Sequence, residues 1–168
     1  MSSNGVSVVL VHGAWADGSS WSKIVHPLVA DGIRTVAAPL PLTSFQGDVA
    51  ALERTLGRVP GSVVLVGHAY AGAVIAATRN EQVRGLVYIA AFAQNATAKE
   101  LAEQDRMIVK DNQRFMAERM RAQVRSRAVD HAPMLTAPNL VLDVLGEAIA
   151  AVRSGVSRVT PISSSDSH

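Results

Sequence analysis

The chain has 168 residues, 48% of them apolar and 4% aromatic, and a formal net charge of +2. That length buries one core of a single domain, and the composition suits an α/β domain packed from Ala, Val and Leu. With no cysteine, disulfides, thiolate catalysis and cysteine metal sites are excluded.

In chain order, Val6–Val11 is a short, mostly apolar run, the pattern of a parallel strand covered on both faces. Glycines from Gly13 to Gly18 break it. A helix is predicted from about Ser20 to Asp31, with Trp21, Ile24, Val25, Leu28 and Val29 spaced for one buried face and Gly32 past its end. Thr35–Ala38 is the next strand, closed by Pro39 and Pro41. Asp48, Val49, Leu52 and Leu56 mark a second helix, ended by the Pro60–Gly61 turn. Val63–Val66 is a third buried strand, Ala71–Thr78 a small-residue helix and Leu86–Ile89 a fourth strand. This alternation predicts right-handed βαβ units and a parallel sheet.

The second half is less regular. Asn95 to Gln104 is polar and carries no strand pattern. Gln113–Met120 reads as a helix, Gln123–Val129 as a strand and Pro138–Val152 as an amphipathic closing helix. One domain over residues 1–152 is therefore expected, followed by a disordered tail over 153–168. The densest basic stretch, Arg114 to Arg127, is interrupted by Glu118 and by apolar residues, which predicts a solvated helix face and strand, not a nucleic-acid surface. No apolar run nears the roughly 20 residues of a membrane span, and no basic-then-apolar leader opens the sequence. A cytoplasmic protein is the expectation.

Three short segments carry chemistry. Gly67-His68-Ala69-Tyr70-Ala71-Gly72 joins a buried strand to a small-residue helix. A nucleophile elbow needs such a turn, because its apex adopts strained backbone angles and its neighbours must be small. The same residues also suit a simple glycine-eased turn, and the G-x-G-x-x-G spacing of a dinucleotide site is absent. His12-Gly13-Ala14-Trp15 follows the first strand, where a glycine lets a backbone N–H point at a developing oxyanion. Asp130-His131-Ala132-Pro133-Met134 places a histidine in a loop before the last helix. His12, His68 and His131 lack the spacing of metal ligands, and neither a metal nor another cofactor is expected.

Together, Val9 to Trp21 (VLVHGAWADGSSW), Val63 to Ile75 (VVLVGHAYAGAVI) and Asp130 to Leu135 (DHAPML) resemble the α/β-hydrolase superfamily, in particular its small bacterial esterase-like members. The last segment is also similar to plant methylesterases, and the likeness runs from about Val6 to Val152. It implies a mostly parallel sheet with helices on both faces. It also implies Ala69 at the nucleophile position, Asp105 as the acid and His131 as the general base. The oxyanion hole would use the N–H of Tyr70 and of Ala14 or Trp15, while His12, Gly13 and His68 would line the substrate pocket. The order nucleophile, acid, histidine is the one this fold uses.

Two departures follow. The Ala69 methyl can neither be deprotonated nor attack a carbonyl, so the chain is expected to be inactive toward esters. Ser19 and Ser20 lie beyond the oxyanion loop and do not replace the missing hydroxyl. The retained Asp105, His131 and His12–Trp15 loop read as a single serine-to-alanine exchange in an esterase. The alternative is a non-catalytic member that binds a small molecule. A hydroxynitrile-lyase reading lacks the threonine expected near Val9–Val11.

The second departure is length: only Ala90 to Gln104 separates the fourth strand from the acid loop, so the lid is absent or vestigial. Lys99–Gln104 is charged and ill suited to a central buried strand. Were that strand gone, Gln123–Val129 would lack its neighbour, and the exposed edge would favour a homodimer. The expected partner is a small ester or related ligand, with no nucleic acid and no membrane.

Overall fold

The computed structural model describes residues 5–91, 98–102, 123–127 and 129–155. Six strands form one sheet: β1 (Val6–Val11), β2 (Arg34–Ala38), β3 (Ser62–His68), β4 (Val83–Ile89), β5 (Ala98–Ala102) and β6 (Gln123–Arg127), in the order β2-β1-β3-β4-β5-β6. All neighbouring pairs are parallel. The helices are α1 (Ser22–Ala30), entered through a 3-10 turn at Gly18–Trp21, then α2 (Phe45–Leu56), α3 (Ala71–Ala77), α4 (Pro133–Thr136) and α5 (Pro138–Arg153).

Successive side chains of a strand point to opposite faces, so two apolar layers are needed. Val6, Val8 and Leu10 of β1 join Val64 and Val66 of β3 and Val87 and Ile89 of β4 on one face. Trp21, Ile24 and Leu28 cover them together with Met134, Val141, Leu145 and Ile149. Val9, Val11, Val63, Leu65 and Tyr88 face the other way, under Leu52 and Leu56 of α2 and Val74 and Ile75 of α3. Both faces being dry explains why β1 and β3 are continuous apolar runs. Among the described residues, no helix is long and apolar enough to cross a membrane.

The structure corrects the reading of the middle segment. Ala98–Ala102, expected to carry no strand, forms β5 between β4 and β6. Its register gives the reason. Ala98 pairs with Val87 and Glu100 with Ile89, so β5 overlaps only the last three residues of β4. Composition misled because backbone pairing, not a run of large apolar side chains, decides this strand. β6 accordingly has its neighbour, from Ala98–Gln123 through Ala102–Arg127. The strand expected to lack a neighbour is thus paired on one side and forms the end of the sheet.

Other differences are at boundaries. β3 runs on to His68 and β4 starts at Val83, because parallel pairing extends both beyond their most apolar stretches. α4 was not expected; Pro133 opens it at a position where its missing N–H costs nothing. The helix expected at Gln113–Met120 lies outside the described residues, as do residues 156–168 of the expected tail.

The approach of α3 to β3 depends on Gly67. A Cβ there would stand 2.9 Å from Ile75 Cδ1 and 3.0 Å from the Ala71 carbonyl oxygen. Ile75 could yield, but the backbone of the first turn of α3 could not without moving the elbow. Gly67→Ala is expected to cost about 1–3 kcal/mol, read as a lowered midpoint in urea unfolding. An unchanged midpoint would show that the packing has slack.

Candidate active site

Strand order reverses beside β1, since β2 lies on one side of it and β3 on the other. In open parallel sheets the crevice outside the carboxyl ends at such a switch is where ligands bind. β1 and β3 run in register up to Val11 opposite Gly67. Continuing that register sets His12-Gly13 beside His68-Ala69. A Cβ on Gly13 would stand 3.1 Å from Ala69 Cβ and 3.2 Å from the His68 carbonyl oxygen, so only glycine fits comfortably. The expected oxyanion loop thus touches the expected nucleophile position.

Ala69 has φ of +49°, in the left-handed region that non-glycine residues seldom occupy. Its N–H donates to the Ile89 carbonyl at 3.3 Å, and its own carbonyl accepts from Gly72 N at 3.0 Å. The strand on one side and the first turn of α3 on the other hold the residue in this conformation. Held strain at the apex of a strand-to-helix turn is what presents a side chain to a cleft.

His12 is buried, and both ring nitrogens are engaged. Nε2 accepts from Leu40 N at 3.0 Å and Nδ1 faces the Gly13 carbonyl oxygen at 2.9 Å. A carbonyl only accepts, so Nδ1 carries the proton and the ring is neutral. It braces the loop instead of presenting an edge to ligand. Beyond it, Trp15 has φ of +65° and is 96% exposed. Asp17 then accepts from Ser19 N at 2.8 Å and Ser19 Oγ at 2.5 Å. These bonds, the side-chain one foremost, hold its carboxyl below the usual range. Ser20 Oγ donates to the Asp17 carbonyl at 2.7 Å. Both serine hydroxyls are committed to this turn.

Tyr70, next after the apex, sends its hydroxyl to Asp48 Oδ2 at 2.7 Å, while Asp48 Oδ1 accepts from Leu42 N at 2.7 Å. Asp48 is 1% exposed. A buried carboxylate survives only when its oxygens are satisfied, and here they tie the elbow to the loop after β2. The sequence carried a signal for it. Asp48 precedes Leu52 and Leu56 at helical spacing, so a carboxylate sits on the buried stripe of α2.

His131 follows β6 at the same sheet edge. Asp130 Oδ1 accepts from Ala132 N at 2.9 Å and Thr136 Oγ1 at 3.0 Å, closing the turn that carries it. The His131 and His68 rings lie 4.9 Å apart, centre to centre. The fold therefore brings the His12–Trp15 loop, the elbow and the His131 loop together. Asp105 lies outside the described residues; β5 ends at Ala102, just upstream of it. Among the described residues, no three His, Asp or Glu side chains converge as a metal site. An open groove of about 570 Å³ between α1 and α5, lined by Leu28, Ile33, Leu142 and Ile149, is remote from Ala69.

Burial above all, then the Asp48 bond and charge, push the Tyr70 hydroxyl up to about 12 from an ordinary value of 10. A raised acid is neutral in the fold, so its contribution is complete below pH 10 and is lost as pH rises through about 12. Tyrosinate absorbance in a Tyr88→Phe background should show this late titration. Asp48→Asn should lower it while leaving it above 10, because burial remains. Titration of Tyr70 at 10 in the parent would contradict the buried contact.

Comparison with known proteins places this geometry. The profile of the alpha/beta hydrolase family matches residues 8–101. A search of curated protein sequences finds no match. Among solved structures, a pyrethroid hydrolase from Sphingobium faniae JZ-2 is similar with a TM-score of 0.78 and 16% identity, over 87% of this chain and 98% of that one. Polyneuridine aldehyde esterase gives 0.76 and 16%, over 85% and 98%. A tomato methylketone synthase I variant complexed with beta-ketoheptanoate gives 0.75 and 15%, over 89% and 98%. At such identities the likeness is one of fold. Sheet order, strained elbow and family profile agree: this chain belongs to the alpha/beta hydrolase family.

Proposed function

We propose that the chain is a serine-esterase scaffold for a small carboxylic ester that lacks the attacking oxygen. The observation that carries this is Ala69 itself, held at φ +49° at the apex between β3 and α3, against Gly13. A fold that maintains so strained an alanine keeps a geometry whose use is to present a nucleophile. The similar structures named for ester hydrolysis, the pyrethroid hydrolase and polyneuridine aldehyde esterase, support the substrate class.

In this reading a hydroxyl at position 69 would pass its proton to His131 as its oxygen attacks the ester carbonyl. The oxyanion would be received by the N–H of Tyr70 and of Ala14 or Trp15. His131 would then protonate the leaving alcohol, and water would release the acid from the acyl-enzyme. Asp105 would orient the imidazole. With Ala69 no covalent step is available, and the chain binds without cutting. The partner is a small molecule; nucleic acid and membrane have no part in the reading.

The experiment is Ala69→Ser, assayed on short-chain p-nitrophenyl esters. Loss of a triad nucleophile removes on the order of 10⁶ in kcat, so a gain of at least about 10³-fold is expected. Folded Ala69→Ser protein without turnover would overturn the reading.

The same alanine favours a second reading, a dedicated ligand-binding protein that uses this cleft. Calorimetry with small esters and carboxylic acids separates the two. A dedicated binder should hold some ligand at least about tenfold more tightly than its Ala69→Ser variant does, whereas a silenced esterase should bind equally well with either residue.

A further inference from the structure

We infer that His68, the residue before the apex, is a positioning residue that fixes the loop of His131 through a hydrogen bond from its Nε2 to the His131 carbonyl oxygen. The inference rests on the esterase reading for its chemistry, but its geometry stands alone.

The alternation of β3 puts His68 on the same face as Val64 and Val66, toward α1, α4 and α5. It is only 7% exposed. Nε2 lies 2.7 Å from the His131 carbonyl oxygen, 63 residues away in sequence. A carbonyl oxygen can only accept, so Nε2 carries the hydrogen. The Trp21 ring meets the imidazole edge-on at 6.4 Å and 89°, and the His131 ring leans on it at 52°. The donor is therefore oriented from two sides.

The other end of the turn is already held by Asp130, through Ala132 N and Thr136 Oγ1. His68 adds a tether of a different kind, because it reaches across to another strand. It joins the residue adjoining the nucleophile position to the backbone of the general base. Displacing one then displaces the other, and their separation is conserved. That matters because a general base must lie within hydrogen-bond reach of its proton, and a 1 Å misplacement can cost about 10²-fold in rate. A histidine that merely filled the core could be replaced by leucine without effect on the base.

The test has two arms. In the chain with Ala69, long-range ¹H–¹⁵N spectra should show His68 as the Nε2–H tautomer, with a through-hydrogen-bond coupling from Nε2 to the His131 carbonyl carbon. In the Ala69→Ser background, His68→Leu should lower kcat about 10–100-fold while KM moves less than about threefold. His68→Gln, which keeps an amide donor, should recover at least about threefold of that loss. Inactivity of Ala69→Ser with His68 intact would overturn the esterase reading alone, and the coupling would still decide the tether. An Nδ1–H tautomer without coupling would overturn the inference. So would an active Ala69→Ser protein whose kcat is indifferent to His68→Leu. Should His68→Leu fail to fold, the Gln variant and the spectra carry the decision.

Discussion

The parallel register of β1 and β3 is the constraint from which the candidate site follows. Val11 opposite Gly67 leaves the next two residues of each strand side by side where the sheet gives out. That juxtaposition demands glycine at position 13 and sets the His12–Trp15 loop against the turn at Ala69. The reversal of strand order beside β1 supplies the crevice above them. A one-residue slip would exchange the faces of β3 and turn His68 toward α3.

Three buried polar contacts hold this arrangement in place. His12 reaches Leu40 N, Asp48 joins Tyr70 to Leu42 N, and His68 meets the His131 carbonyl. Each connects the centre of the site to a loop from another strand: two after β2, one after β6. Polar groups out of water are costly unless matched, so each contact specifies one arrangement of its loop more sharply than apolar packing could. The site is thus built on the sheet, with its loops tied down from several sides.

Most of this fold was legible because β1, β3 and the second half of β4 are largely buried, which leaves mostly apolar runs, and because Trp21, Ile24 and Leu28 repeat at helical spacing. The elbow was legible for a local reason: small residues at 67, 71 and 72 have little other use between a strand and a helix. What escaped was set by partners distant in sequence. β5 owes its existence to backbone pairing with β4 and β6, which its charged composition conceals. His12 and His68 suit a pocket by position along the chain. Only the tertiary contacts show their rings turned inward to backbone groups at Leu40 and His131.

The central proposal is that the apex between β3 and α3 is a nucleophile position carrying a methyl group, and it concerns reactivity at one atom. The most direct measurement is intact-mass labelling with a fluorophosphonate, which modifies only a serine activated within such a site. The account predicts one adduct on the Ala69→Ser protein, mapped to the elbow peptide, and none on the chain with Ala69. Folded Ala69→Ser protein that stays unlabelled, or an adduct on Ser19 or Ser20 of the parent, would contradict it.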